Sequence, residues 1–311
     1  MPKYMVIVNP AAGAGNGKRS IPKIQSLLGQ HGLAYDLALT EGRWHAAELA
    51  KEASLAGYDV VVACGGDGTS NEVINGLMEA QKLGGTAAVG ILGVGRGNDF
   101  AHGVGVPPGL ETAVEALVAD RRRDIDIGRV AGGNHPQGRY FGNCVGVGFD
   151  AVGTIEASKL PRWGGFVSFL VAIVKTIFLF PNGPTVRLEH DGQMLTLPTL
   201  MVSVMNGRRL GSGFWMAPQA EPDDGVFDVC VARQVSRRRI FTLIPHFLRG
   251  TQATQEEIQI VRGSRIVIEA VEGVLPAHAD GEIISIDGRR LDIHLLPREL
   301  EVVVAPAGGG R

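Results

Sequence analysis

The sequence predicts a two-domain protein: an N-terminal α/β domain with a doubly wound parallel sheet, then a β-rich domain built as an antiparallel sandwich. Three observations predict it. The chain has 311 residues, beyond the roughly 100–200 of one ordinary domain. Up to about residue 125, continuous apolar strand runs alternate with helical patterns, as in a sheet covered on both faces. From DIDIGRV (124–130) onward, β-rich segments dominate. The expected domains are 1–125 and 126–298, with 299–306 either returning to the first or closing the second.

In the first domain, YMVIVN (4–9) reads as a strand and KRSIPKIQSLLGQHG (18–32) as a helix ended by Gly32. AYDLALT (34–40) is a strand, RWHAAELAKEASLAG (43–57) a helix and DVVVAC (59–64) a strand. SNEVINGLMEAQKLG (70–84), AAVGILG (87–93) and GLETAVEALVAD (109–120) continue the alternation as helix, strand and helix. In the second domain the strand segments are 139–149, 185–207, 225–235, 256–271 and 289–297. Two helices interrupt them, the apolar WGGFVSFLVAIVKTIFLFP (163–181) and SRRRIFTLIPHFLRG (236–250). In the apolar one, Ser168, Lys175 and Thr176 are expected on one narrow stripe. Lys175 and the flanking glycines and Pro181 argue for a buried or lipid-facing amphipathic helix over a membrane span. AGGGR (307–311) reads as a disordered tail.

Composition narrows the function classes. A formal charge of −2 provides no field for capturing nucleic acid. The arginine clusters 121–123, 208–209 and 237–239 are solvated faces or local contacts to phosphate or anionic membrane. Three scattered cysteines, Cys64, Cys144 and Cys230, fit buried thiols in a reducing cytosol rather than a disulfide framework. Glycine is abundant, 44 of 311 residues, about twice the usual ~7%. That excess concentrates in three loops at strand ends.

The first loop, NPAAGAGNGKR (9–19), fails the P-loop pattern: Ala12 stands for the first glycine and Arg19 for the metal-binding hydroxyl. It remains a strand-to-helix turn suited to an anion, with Asn9, Gly13 and Gly15 as candidate contacts, or an ordinary turn. The second loop is CGGDGTSNEVING (64–76). Gly65, Gly66 and Gly68 let backbone donors approach a phosphate, and Thr69 or Ser70 caps the helix or binds a phosphate oxygen. A carboxylate there repels phosphate unless a cation intervenes, so Asp67 implies magnesium. The alternative is that Asp67 only caps the turn. The third loop, GVGRGNDFAHGVG (93–105), repeats the theme with Arg96, Asn98 and Asp99. Three such loops on one sheet edge make a nucleotide site far more probable than any one alone.

NPAAGAG, GGDGTSNEVING and GRGNDFA, in this order, resemble the diacylglycerol kinase catalytic domain family, and most of all its soluble bacterial lipid kinases. The resemblance continues through DIGRV (126–130), FGNCVGVGFDA (141–151), NGRRLGSGFWMAPQAEPDDGVFDV (206–229) and ADGEII (279–284). It implies ATP and Mg2+ as cofactors and an active site in the cleft between the domains. Thr40 and the segment from Gly66 through Asn71 to Glu72 would contact ATP. Arg96 departs from the family's usual threonine, and its planar fork could still reach a phosphate. Asp224, with main-chain oxygens at Glu221 and Val226, would bind a structural magnesium; from spacing alone, Asp224–Gly225 is equally an ordinary hairpin turn. Glu282 would be the general base toward a lipid hydroxyl, with Asp280 beside it. His45 would position a helix, while Lys18, Lys159 and Arg162 are weaker phosphate candidates.

The expected activity is therefore transfer of the γ-phosphate of ATP to a lipid, first of all diacylglycerol. A sphingoid base or phosphatidylglycerol is the close alternative; an NAD kinase-like enzyme or a non-catalytic nucleotide-binding regulator is more distant. The expected location is cytoplasmic, reaching its lipid at the membrane surface through the 163–180 helix, Phe241–Phe247 and Arg237–Arg239. A homodimer through sheet edges of the second domain is left open.

Overall fold

The computed structural model describes residues 2–160, 165–180 and 182–305. Arg162, Trp163, Gly164, Pro181 and the AGGGR tail lie outside the described residues. The chain divides into two units, one running up to Ile125 and resuming at Arg298, the other Asp126–Pro297.

In the first unit, β1 (Lys3–Val8), α1 (Ala12–Gln30), β2 (Ala34–Leu39), α2 (His45–Leu55), β3 (Val60–Gly65), α3 (Asp67–Gln81) and β4 (Ala88–Gly93) alternate. Helices α4 (Asp99–Gly103) and α5 (Leu110–Ala119) follow. The four strands are parallel in the order β2-β1-β3-β4. Every residue of β3 is buried, which is why it reads as an unbroken apolar run. The chain passes from β1 out to β2 and then back across β1 to β3. The switch point therefore lies between β1 and β3, and the loops at their carboxyl ends flank it.

Two helix starts differ from expectation. α1 begins at Ala12, six residues early, because Gly13, Ala14 and Gly15 coil in the left-handed region (φ 58°, 58° and 85°) before the regular helix. α3 begins at Asp67, with Gly66 in the cap position and no side-chain cap. Thr69 and Ser70 therefore do not cap it. Helix α4 is too short to leave a periodic signal and was not expected.

The second unit contains β5 (Arg121–Gly132, entering from the first), β6 (His135–Phe141), β7 (Cys144–Gly148), α6 (Phe149–Lys159), α7 (Gly165–Leu179), β8 (Thr185–His190) and β9 (Gln193–Met205). There follow the short pair β10 (Arg209–Leu210) and β11 (Phe214–Trp215), then β12 (Phe227–Arg233), α8 (Arg237–Arg249), β13 (Ile258–Gly263) and β14 (Arg265–Glu272). Strands β15 (Ala277–Ala279), β16 (Glu282–Ser285) and β17 (Arg290–Val304) complete it. Pairing among β7–β9 and β12–β16 is antiparallel, as is that of β5 with β6. Strand β9 joins the two layers of a sandwich: residues 193–198 pair with β8, and 201–205 pair with β7 and, on the other edge, β12.

Alternation along β9 and β12 fills two cores. Val202, Val204, Phe227, Val229 and Val231 face the sandwich interior with Phe141, Leu188, Ile268 and Ile293. Met201, Met205, Cys230 and Ala232 face the other way, against Ile173 and Ile177 of α7 and Leu243 and Phe247 of α8. Strand β12 and the second half of β9 are thus buried on both faces, which removes the polar alternation normally expected of an antiparallel sheet.

Helix α6 departs from expectation: the strand expected over 139–149 ends at Gly148, and Phe149 opens the helix. In α7, Thr176 is buried and bonds back to the Ala172 carbonyl while Lys175 is exposed, so the expected single polar stripe does not exist. The helix is apolar on two sides: Ala172, Ile173 and Ile177 are buried, and Val167, Val171, Val174 and Phe178 are exposed. The segments 289–297 and 299–306 fall largely on one strand, β17, which pairs antiparallel with β14 and, at Val302, parallel with Val89 of β4. Among the described residues, no helix is long and apolar enough to cross a membrane.

Candidate active site

The three glycine loops of the first unit do converge. Asn9 donates from Nδ2 to Thr69 Oγ1 (3.0 Å), tying the loop after β1 to α3. Asn16 donates from Nδ2 to the Val94 carbonyl (3.3 Å), tying it to the loop after β4. Asp67 Oδ1 accepts the Phe100 N–H (3.0 Å), so the second loop holds the third through the first turn of α4. This packing needs bare backbone: a Cβ on Gly13 would stand 2.4 Å from the Val94 carbonyl oxygen, and one on Gly95 2.4 Å from Gly66 Cα. Asn98 takes a left-handed conformation (φ 51°) and donates to the Gly95 carbonyl. Helix α3 opens here without a side-chain cap, so its first N–H groups and its dipole are available to an anion.

Not every residue of this set is open to a ligand. Thr69, Ser70 and Asn71 are buried, and Asn71 accepts from Asn75 one turn on. Glu72 Oε2 accepts the Ala46 N–H (3.2 Å) and so caps α2. Thr40 is buried at the end of β2, its N–H donating to the Val8 carbonyl. Arg96 is half-buried and Asp99 buried. His45 accepts the Glu41 N–H at Nδ1 (2.9 Å), a contact that shapes the entry to α2.

In the second unit, Asp280 is a backbone clamp. Its Oδ1 accepts from the amides of Asn143 (3.0 Å) and Cys144 (2.8 Å), and its Oδ2 from Gly142 (2.8 Å). Its own backbone is left-handed (φ 47°) at the turn between β15 and β16. A buried carboxylate taking three amides fixes that turn, and with its lone pairs so used it is poorly placed to take a proton from a substrate. Glu282, two residues on, is half-buried at the start of β16.

The acidic loop before β12 is pinned from below. Asp126, fully buried, accepts the Gly225 N–H at Oδ2 (2.8 Å), and its own N–H donates to the Pro222 carbonyl (2.7 Å). Asp224 pairs with Arg262 and accepts from the Val226 N–H; the Glu221 carboxylate pairs with Arg208. Arg262 also reaches Asp228, whose carboxyl is raised by burial against the pull of that guanidinium. A cation at Asp224 would have to displace Arg262 from the carboxylate.

Among the described residues, no three His, Cys, Asp or Glu side chains cluster closely enough to hold a metal by themselves. The three cysteines form no disulfide and are buried, with burial pushing the Cys64 and Cys230 thiols up to about 12. Arg122 pairs with Asp120 and Glu301, and Arg239 with Glu257. These two clusters therefore serve structure in part, while Arg237 and Arg238 stay exposed.

Two features of the second unit leave no signal in the sequence. One is a narrow apolar slot of about 50 Å³ between the sheet, α7 and α8. Its walls include Phe169, Ile173, Leu200, Phe214, Leu243 and Phe247, and Asp150 also lines it. The other is a buried chain beneath the 280–282 turn. Ser203 donates to Asp150 Oδ2 (2.7 Å), His278 Nε2 meets Asp150 Oδ1 (3.1 Å), and the Gly281 N–H donates to His278 Nδ1 (3.2 Å).

Models of known families match nearly the whole chain in two pieces. The diacylglycerol kinase catalytic domain matches residues 3–130, and the YegS C-terminal NAD kinase beta sandwich-like domain matches 143–304. The chain is 28% identical to a diacylglycerol kinase of Bacillus subtilis, over 91% of this chain and 90% of that one. It is 32% identical to a probable YegS-like lipid kinase of Pseudomonas aeruginosa, over 85% and 82%. The solved structure of a putative diacylglycerol kinase from Bacillus anthracis superposes with a TM-score of 0.78 at 25% identity, covering 98% of each chain. An NAD kinase from Archaeoglobus fulgidus in complex with ATP shares the fold at a TM-score of 0.52 and 16% identity.

Proposed function

This chain belongs to the diacylglycerol kinase catalytic-domain family of lipid kinases, phosphotransferases with an alcohol acceptor, and on that premise we propose that it phosphorylates diacylglycerol to phosphatidic acid with ATP. The observation that carries the lipid reading is the apolar slot. The slot is narrow, about 50 Å³, so the lipid reading rests on the chemistry of its lining. An almost wholly apolar lining suits an acyl chain better than a nucleotide or a sugar.

In this reading the loops after β1, β3 and β4 hold ATP. Backbone N–H groups at the uncapped start of α3 take phosphate oxygens, and Arg96 neutralises part of their charge. Asp67 fits a magnesium: it is a hard oxygen donor beside the phosphate site, and the ion would draw its remaining ligands from phosphate and water. When bound, the ion neutralises charge on the transferring group. Asp99 would support it. Glu282 takes the proton from the acceptor hydroxyl as the phosphoryl group leaves ATP, and Asp280 holds the turn that presents it.

The acceptor is drawn from a membrane surface. Val167, Val171, Val174 and Phe178 recur at helical spacing on the exposed side of α7, beside exposed Phe241. The Phe178 and Phe241 rings lie 6.4 Å apart, and the Arg237 guanidinium sits over Phe178. Apolar side chains rimmed by arginine suit shallow insertion into an anionic leaflet.

The test is γ-labelled ATP with magnesium and diacylglycerol, a sphingoid base, phosphatidylglycerol, NAD or no acceptor. Label in phosphatidic acid is expected, and falling turnover as acyl chains are shortened. Label in NADP, or in no acceptor although ATP binds, would sink the proposal.

A further inference from the structure

We propose that His278 is a positioning residue for the phosphoryl transfer: with Asp150 and Ser203 it forms a buried chain that sets the Gly281 amide, and through it the direction of Glu282. The inference rests on the reading of Glu282 as the base. It adds a device that the base needs and that connects the base to the acceptor slot.

The three side chains are shut off from solvent: His278 and Ser203 are 0% exposed and Asp150 4%. Polar groups at such depth persist only when bonded, and here each bond has one direction available. Nδ1 of His278 accepts the Gly281 N–H, so the ring proton sits on Nε2 and is donated to Asp150 Oδ1. The other carboxylate oxygen of Asp150 accepts from Ser203, which fixes the plane of the carboxylate and with it that of the ring. The backbone is shaped around this chain. At Gly146, across the ladder from His278, a Cβ would stand 2.3 Å from Asp150 Oδ2 and 2.4 Å from His278 Nε2.

The chain ends at the residue that precedes Glu282. Gly281 is left-handed (φ 85°), as is Asp280 before it. Two consecutive residues in that region make the Asp-Gly hairpin turn that local preference favours, and its hydrogen bonds fix its direction further. Asp280 anchors one side of the turn through three amides, and His278 anchors the other through one. The chain begins at the slot, because Asp150 is one of its lining residues. Two hydrogen bonds thus separate the slot wall from the amide beside the base.

The test exploits the two nitrogens. In His278→Asn the side-chain carbonyl can occupy the position of Nδ1 and accept from Gly281, while the bond to Asp150 is lost. His278→Gln reaches Asp150 as Nε2 did but offers Gly281 no acceptor, although it is the closer match in volume. If His278 positions the base, Gln lowers kcat by about 10²-fold, the cost of a ~1 Å misplacement. Asn should then keep kcat within about tenfold of wild type, and KM for ATP should stay unchanged in both. A merely structural role predicts the opposite order, with Gln better tolerated, and kcat loss that follows the loss in Tm.

Ser203→Ala, a milder change, should lower kcat a few-fold at near-constant Tm and serves if the 278 variants fold poorly. In a Glu282→Gln background none of the three changes should lower the residual rate further, because the group they position is gone. Should Glu282→Gln keep wild-type turnover, the base reading fails and the proposal with it. Should Glu282→Gln lose turnover while Asn is no better than Gln, or while Ser203→Ala is silent, the base reading stands and the positioning role is refuted.

Discussion

Asp280→Asn removes one charge and changes no shape, yet it should be among the most damaging single substitutions in the second unit. The carboxylate accepts three amides at 2.8–3.0 Å, two on Oδ1 and one on Oδ2. An asparagine can keep its oxygen toward Asn143 and Cys144, but its NH2 group then faces the Gly142 N–H, donor against donor. A buried amide left without an acceptor costs about 1–3 kcal/mol. Loss of charge assistance at the other two bonds costs about 1 kcal/mol more. The sum is about 3 kcal/mol, which for a unit of this size lowers Tm by roughly 6–12 °C at 2–4 °C per kcal/mol. Differential scanning calorimetry of the full chain reads this directly. A shift below about 2 °C would mean that the carboxylate is not the clamp described, and would return Asp280 to a role in the chemistry.

Asp67→Ala should abolish turnover while lowering stability by only about 1 kcal/mol, the worth of its bond to the Phe100 amide; kinase assay and denaturant titration together check this. Phe178→Glu, at an exposed position, should weaken sedimentation with anionic vesicles at unchanged Tm; equal vesicle binding would rule out α7 as the membrane face. Lys159 and Lys175 hold the Glu156 carboxyl below its ordinary range through ion pairs at 2.6 and 2.5 Å. Because that folded-state value is depressed, the pairs stabilise the protein above the ordinary carboxylate pKa and cease to do so as pH falls through the lowered one. The Tm gap between wild type and Glu156→Gln should therefore be full at pH 7 and close in acid.

What the sequence made legible follows from how far apart the partners lie. The βα alternation could be read because strands buried on both faces stay apolar throughout, as β3 does. The glycine loops could be read because close backbone approach leaves only one residue type, as at Gly13 and Gly95. Helix α6 was hidden because it buries Asp150 and Glu156, whose partners Ser203, His278 and Lys175 lie elsewhere in the chain. The same distance hid the 203–150–278 chain, where separations of 53 and 128 residues leave no local pattern. The start of α3 was misplaced because a glycine cap has no side-chain signature. Lys175, which argued against a membrane span, proves to be the partner of Glu156.

The central claim is that Glu282 takes the proton from a lipid hydroxyl, and the most direct measurement compares wild type with Glu282→Gln on labelled ATP and diacylglycerol. The account predicts a fall in kcat of roughly 10²–10⁴-fold with the dissociation constant for ATP unchanged. Wild-type turnover in Glu282→Gln, or a loss explained wholly by weaker ATP binding, would contradict it.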